Sequence, residues 1–418
     1  MSEKSSMNRN FVVIGAIIIQ LCLGAIYAWS VFTKPLVDAD WTKTQTQAVF
    51  AVGLAFFAIV MVIAGRLMPK LGPRKLAMSG GIVLGLGYLL AGLFGGTNFW
   101  MIFLFVGVIG GSGIGLAYVV PIAVGMRWFP DKKGLITGLA VAGFGFGATL
   151  WVKLAGAWGH LIENIGLSTT FLIYGIVFLV SVVIGSIWMV FPPAGWKPKG
   201  WEPAKEAKKA AVSGLHMNSS EMLKTPQYYM ILLTFAFGAS AGLMSIGLMK
   251  LFPMQALAKN GFSEIAASGI AGTAMAVFFS LANGIGRIAW GAISDKLGRK
   301  KSIILMMATQ GVFVIAFQWI AGTPALLYLG AALIGFNFGG NFALFPTITA
   351  DTFGTKHIGQ NYGWVFLAYG IGGIFGPIMG GKLGDMDNFS LAFIICGVLC
   401  LVAAGIIAGV KPPKLKTA

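Results

Sequence analysis

Arg287 stands inside an apolar run, nine residues before Lys296. On a helix that separation is about 13 Å of rise, which puts the guanidinium near mid-bilayer if the run crosses a membrane. An ionisable side chain at that depth is held at considerable cost and marks a functional site by default. No Asp or Glu lies close to it in its own run, and Asn283, one turn earlier, shares its face. A guanidinium is a planar fork that matches a carboxylate with two parallel hydrogen bonds. The expected chemistry is therefore reversible binding of a carboxylate that reaches Arg287 through an aqueous cavity. The competing reading is a structural arginine bonded to the backbone carbonyls of a neighbouring helix.

The remaining candidates are mostly neutral. Gln20 and Tyr27 fall in the first apolar run and Tyr118 in the fourth; Asn337, Asn341 and Tyr328 fall in the tenth and Tyr369 in the eleventh. Together they supply uncharged donors that could face Arg287, although each serves equally well as interhelical glue. Lys153 lies about 28 Å along its helix from Gly134. That places it near the outer interface, either snorkelling to headgroups or attracting carboxylates at a cavity mouth. Of the titratable groups, Asp38, Asp40 and Asp351 fall at span ends and His357 in a loop. Asp38 and His357 are the proton-coupling candidates. Three dispersed histidines and the separated Cys22, Cys396 and Cys400 offer no ligand spacing, so no metal and no cofactor is expected. Gly284-Ile285-Gly286-Arg287-Ile288-Ala289 formally fits a dinucleotide pattern, but it lies within an apolar helix with no strand before it. Nothing points to an enzyme.

These residues are positioned by membrane spans. Of the 418 residues 57% are hydrophobic and 10% charged, far from a soluble chain's balance. Runs of roughly 20 apolar residues suffice to span a bilayer. Twelve can be drawn, near 11–36, 45–68, 75–96, 100–124, 134–156, 170–191, 228–252, 266–290, 301–320, 326–350, 359–381 and 389–410. The run from Phe11 is too long for a signal-peptide core. With both termini cytoplasmic, only Lys34, Lys43, Lys250, Lys259 and Lys382 face outward; apart from Arg287 and Lys153, every other Lys and Arg is cytoplasmic. The net charge of +17 is then the positive-inside signal of a multi-pass cytoplasmic (inner) membrane protein, and nucleic acid is not an expected partner. The lysine-rich stretch 192–227 divides an N-terminal six-helix bundle, 1–191, from a C-terminal one, 228–418.

The two halves carry a repeat. Gly65-Arg66-Leu67-Met68-Pro69-Lys70-Leu71-Gly72-Pro73-Arg74-Lys75 follows the second span, and Gly291-Ala292-Ile293-Ser294-Asp295-Lys296-Leu297-Gly298-Arg299-Lys300-Lys301 follows the eighth. Parallel repeats of this kind build two-bundle transporters. The motif resembles the loop signature of the major facilitator superfamily, G-x-x-x-D-[RK]-x-G-R-[RK]-[RK]. The second copy matches fully, whereas the first has Pro69 in the Asp position. The resemblance implies a fold of twelve helices in two pseudo-symmetric bundles, with Asp295, Arg299, Gly291, Gly65 and Arg74 at a cytoplasmic gate.

A second set of pieces is narrower: Arg127-Trp128-Phe129-Pro130-Asp131-Lys132-Lys133-Gly134-Leu135, Ala142-Gly143-Phe144-Gly145-Phe146-Gly147, Phe336-Asn337-Phe338-Gly339-Gly340, Phe345-Pro346, Asp351-Thr352-Phe353-Gly354 and Asn361-Tyr362-Gly363. This set resembles the oxalate:formate antiporter branch, which is related to the monocarboxylate transporters. The branch implies small carboxylates as substrates and an essential Arg at the Arg287 position. It also implies a Lys in the eleventh span, where this chain has Tyr369. One central cation instead of two favours a monoanion such as lactate, pyruvate or formate over oxalate.

The expected protein is a carrier of small monocarboxylates working by alternating access, proton-linked or by exchange, and functional as a monomer in a lipid bilayer. The rivals are an oxalate/formate-type exchanger, an exporter of larger organic anions, and a nontransporting carboxylate sensor.

Overall fold

Long apolar sequences with few charges have one way to satisfy their backbone in hydrocarbon, and this chain takes it throughout: its described regular structure is helical. The computed structural model describes residues 7–155, 159–193, 195–198, 216–249, 251–386, 388–411 and 413. The Ala/Lys-rich piece of the 192–227 stretch, Lys4, Lys414 and Lys416 lie outside these residues. Among the described residues, twelve helices are long and apolar enough to cross a membrane. They are α1 (Asn10–Trp29), α2 (Ala48–Leu71), α3 (Pro73–Gly95), α4 (Phe99–Trp128), α5 (Lys133–Ala155) and α6 (Leu161–Ser186), then α7 (Pro226–Leu248), α8 (Glu264–Leu297), α9 (Arg299–Ile320), α10 (Pro324–Phe353), α11 (Ile358–Gly384) and α12 (Phe389–Ala408). The apolar pattern places the sixth span near 170–191, whereas the helix begins nine residues earlier and ends at Ser186. Helical backbone runs from Leu161, with a kink at Gly166 that the apolar pattern does not mark.

The packing repeats on adding six to each helix number. Helix α1 lies on α5, α2 on α4, and α3 on α6; likewise α7 lies on α11, α8 on α10, and α9 on α12. Between the halves, α2 packs against α11 and α8 against α5, again a symmetric exchange. This is the two-bundle arrangement that the repeat implies.

Within the repeat the glycines do two separate jobs. Gly72 and Gly298 are the single residues between α2 and α3 and between α8 and α9, with φ of 77° and 90°. Side chains rarely adopt that backbone, so glycine is needed for so short a turn. Gly65 and Gly291 act through close approach. A Cβ on Gly65 would sit 2.2 Å from the Gly359 carbonyl oxygen of α11, and one on Gly291 would sit 2.3 Å from that of Gly134 in α5. The three cysteines are buried and free, packed as small apolar side chains.

Candidate functional site

Helix α8 carries Arg287 into the interface between the halves, and the neighbouring backbone leaves room for it. Gly138 of α5 faces the Arg287 carbonyl so closely that a Cβ there would lie 2.2 Å from it. The guanidinium is fully buried. Its Nε donates to Asn283 Oδ1 at 2.9 Å, and its Nη1 donates to the Val141 carbonyl of α5 at 2.9 Å. Phe342 lies under it, 4.1 Å from ring centre to Cζ, and Phe144 stands 5.5 Å away. These contacts supply partial negative charge but no anion. The Nη2 nitrogen makes no well-formed hydrogen bond, although the Tyr27 and Tyr118 hydroxyls lie close enough to interact with the guanidinium, and no salt bridge involving Arg287 occurs among the described residues.

One edge of the fork is held as a structural arginine would be, by a neighbour's carbonyl and by Asn283. The other edge is unsatisfied, which for a buried charged group is costly unless a ligand completes it. The expectation that Arg287 faces an open cavity needs correction for this conformation. Aromatic side chains from both halves cover it, because α1, α5, α10 and α11 all direct rings to the same depth.

Tyr27 of α1 and Tyr369 of α11 form the top of that cover, their hydroxyls 2.5 Å apart. Gly24 makes the position of Tyr27 possible: a Cβ there would meet the Phe144 carbonyl at 2.2 Å, so α1 lies directly on α5. The Tyr27 ring packs edge-on against Phe144, and Tyr369 packs on Phe342 and Phe366. Tyr118 is buried among Phe57, Phe144 and Phe366. Its hydroxyl stands close enough to Arg287 to interact with the guanidinium, although the two do not form a well-aligned hydrogen bond. Gln20 holds the Tyr118 carbonyl through Nε2 at 3.1 Å, and its own Oε1 is unpartnered. Tyr27, Tyr118, Tyr369 and Asn283 therefore gather around Arg287, while Gln20 is tied to the group only through the Tyr118 backbone.

Above the tyrosine pair lies a cleft with a free volume of about 90 Å³, enough for several waters or one small acid. Its wall includes Tyr27, Thr149 and Lys153, together with Met275, Phe279, Ser280 and Asn283 of α8. Lys153 thus lines the cleft. The Thr149 hydroxyl is buried there without a partner. The wall beside it is formed by Ala274–Phe279, wound as a π-helix, a local widening that the apolar pattern does not reveal.

Other candidates lie elsewhere. Asn337 is engaged within its own half, accepting from Trp290 Nε1 and donating to Thr309. Tyr328 stacks on Phe278. Asp38 is exposed and does not line the cleft. His357 sits in the loop before α11, beside Lys356, His216, Glu221 and Arg127. Burial, then Lys356 and His216, hold its imidazole below the usual histidine range.

The face bearing the repeat loops is closed. Asp295 receives the backbone N–H of Gly134 at 3.0 Å and of Leu135 at 2.8 Å, capping the first turn of α5 from across the interface. Arg299 lies 2.6 Å from Asp295 and 3.1 Å from Asp351, and Lys133 meets Asp351 at 2.9 Å. Arg74 is exposed. Asp351 had no gating role in the sequence reading. Its place between cations of both halves follows from tertiary packing, and the only sequence signal is its position at the end of a span.

A model of the Major Facilitator Superfamily matches residues 12–278 and 240–418. The chain belongs to the Major Facilitator Superfamily. Among its relatives, the "Oxalate:formate antiporter" of Oxalobacter formigenes is 26% identical, over 97% of this chain and 92% of that one. "Monocarboxylate transporter 13" of Rattus norvegicus is 24% identical, over 93% and 85%. The solved structure of a single-site variant of the Escherichia coli fucose:proton symporter superposes with a TM-score of 0.66 at 14% identity, covering 96% of this chain and 98% of that one. That likeness concerns the fold. As a facilitator-superfamily member the chain is a membrane transporter and not an enzyme. The two copies of the repeat are lopsided: Asp295 caps a helix of the other half, while Pro69 in the first copy has no carboxylate to offer α11.

Proposed function

We propose that this transporter moves small monocarboxylates of the formate, lactate and pyruvate class by alternating access, with Arg287 as the carboxylate anchor. The observation that carries the reading is the half-satisfied guanidinium: Nη2 of a fully buried arginine makes no well-formed hydrogen bond and faces only neutral tyrosine hydroxyls, among them Tyr118, itself without a well-formed bond. A carboxylate oxygen set between them would accept from both and supply the missing negative charge. Residues 1–191 and 228–418 are the two moving units, joined by 192–227, with both termini and the repeat loops on the cytoplasmic side and the cleft opening outward. A single such chain encloses the whole path, so a monomer suffices, in the cytoplasmic (inner) membrane.

Lys153 draws anions into the cleft, and Arg287 receives them below it. Asn283 orients the guanidinium, Gln20 fixes the Tyr118 segment, and Tyr27 and Tyr369 contribute hydroxyls. Asn337 and Tyr328 support α10. Asp295, Arg299, Gly291 and Gly65 close the cytoplasmic side, with Arg74 at the membrane surface. No carboxylate or imidazole lines the cleft among the described residues. Coupling therefore runs by exchange, or through a proton carried with the acid, rather than through Asp38 or His357.

Oxalate/formate exchange is the second reading, favoured by Lys153 in the cleft wall as a second cation. Uptake of labelled formate, lactate, pyruvate and oxalate into proteoliposomes, with and without an imposed pH gradient, separates the two. The monocarboxylate reading expects the three monoanions to be taken up faster than oxalate. A preference for oxalate, or no flux of any of the four, overturns it.

A further inference from the structure

Gly359, Tyr362, Phe366 and Tyr369 recur at helical spacing along α11 and form one stripe from the closed basic face to the centre. Three of the four are accounted for. Gly359 lies against Gly65 of α2, and Tyr369 bonds Tyr27. Phe366 packs on Phe57 and Tyr118 of the first half, at 4.9 and 5.2 Å between ring centres. Tyr362 has no such role. Its ring stands edge-on to Phe366 at 5.7 Å, and the side chain is fully buried. Its hydroxyl makes no hydrogen bond among the described residues, although Tyr118 and Arg287 both lie close enough to act on it electrostatically. Seven residues before Tyr369, it sits about 10 Å nearer the basic face.

A buried hydroxyl without a partner is held at a cost that phenylalanine, filling the same space, would avoid. The cost is recovered in a conformation that brings an acceptor to the hydroxyl. Tyr362 and Arg287 stand on α11 and α8 of the same half, whereas Tyr118 stands on α4 of the other. When the halves part at the basic face, the Gly65–Gly359 and Gly134–Gly291 contacts are lost and Tyr118 moves away. Arg287 and Tyr362 keep their relation, with Tyr362 on the newly opened side. An acid leaving Arg287 by that route passes this hydroxyl. Its carboxylate has a second acceptor oxygen, and an anion makes a stronger bond than a neutral acceptor. A neutral donor suits release, since it draws the acid from Arg287 without a second charge to hold it.

We infer that Tyr362 is the inner donor of the transport path, taking a carboxylate oxygen as the acid leaves Arg287 and so setting the affinity on the basic face. The inference rests on the carboxylate reading above, in which the basic face is cytoplasmic. Tyr27 and Tyr369 lie on the cleft side of Arg287 and serve the opposite entrance.

The test uses full-length protein in sealed right-side-out and inside-out membrane vesicles, comparing wild type with Tyr362→Phe, which keeps the ring. Half-saturation of labelled formate and lactate uptake, in exchange for saturating unlabelled acid, is measured at each face. Whatever happens to the absolute rates, the ratio of basic-face to cleft-face half-saturation should rise about ten-fold or more, the span that loss of a hydrogen bond to a charged group allows. A tyrosine that merely supports the fold would change both faces together. An unchanged ratio, with wild-type flux intact, overturns this inference alone. No flux of either acid in wild type overturns the carboxylate reading and this inference with it.

A second readout follows access to the position itself. Tyr362→Cys places a thiol there, and the three native cysteines are buried. A membrane-impermeant methanethiosulfonate should modify it in inside-out vesicles and not in right-side-out ones, and saturating formate or lactate should slow the reaction. Modification that comes equally from both faces, or that the acids leave unslowed, refutes the inner-donor role.

Discussion

Removing the Asp295 carboxylate tests the closed face directly, and its effect can be sized from the structure. Its two oxygens cap the Gly134 and Leu135 N–H groups at 3.0 and 2.8 Å and lie against Arg299 at 2.6 Å. Losing a cap of this kind costs about 0.5–2 kcal/mol. The ion pair is partly exposed, with 14% and 20% of the two side chains accessible, so its share is held to about 1 kcal/mol at most. The cap bonds cross between α5 and α8 and exist only while this face is closed. The Asp295–Arg299 pair lies within one half and persists in either conformation, so Asp295→Ala should shift the conformational balance toward the open face by the cap alone, about 0.5–2 kcal/mol or roughly 2- to 30-fold. The assay is the distribution of distances between spin labels at Lys132→Cys and Lys296→Cys, read by pulsed electron resonance without substrate. Asp295→Asn, which keeps an acceptor but loses the charge, should fall between wild type and Ala. A distribution in the Ala variant equal to that of wild type would refute the reasoning, since the remaining Lys133–Asp351–Arg299 contacts would then be holding the face shut alone.

Gly134→Val should also open this face, because a Cβ there lies 2.3 Å from the Gly291 carbonyl; the same labels should show a second, longer distance, and transport should fall at least about ten-fold. Tyr369→Lys supplies a second cation beside Arg287 and should raise the oxalate-to-formate uptake ratio about ten-fold or more in proteoliposomes, with no change counting against charge matching. His357 is held below its usual range, so the folded protein favours the neutral imidazole. An unfolded histidine binds its proton near pH ~6.5, so stability is full above that value and falls as the pH drops below it toward the lower folded pKa. Thermal melting in detergent should decline over that window, and His357→Asn should flatten part of the decline; an identical profile in the variant would exclude His357 as its source.

Much of the fold is legible in the sequence because its two governing patterns are local. Apolar run length marks the spans, and the Lys-Leu-Gly repeat marks the turns at Gly72 and Gly298. Arg287 with Asn283 is legible for the same reason, since a one-turn separation on a helix brings the two together wherever the helix lies. The rest depends on which helices meet. Nothing along the chain pairs Arg287 with the Val141 carbonyl, since that bond comes from the α5–α8 contact. Nothing pairs Asn337 with Trp290 and Thr309, which withdraw it from the cleft. The covering of Arg287 by Tyr27, Tyr369, Phe144 and Phe342 belongs to one conformation of a carrier. A linear pattern of apolar residues carries no sign of which conformation is populated.

The account stands most directly on whether the free edge of Arg287 takes up a carboxylate. Calorimetric titration of formate and lactate into purified wild type, Arg287→Lys and Arg287→Gln measures this. Saturable binding should appear in wild type, weaken about ten-fold in the Lys variant, which keeps the charge but loses the fork, and weaken about 100-fold or more in the Gln variant. Binding of undiminished affinity in Arg287→Gln, in protein that is folded and inserted, would contradict the account.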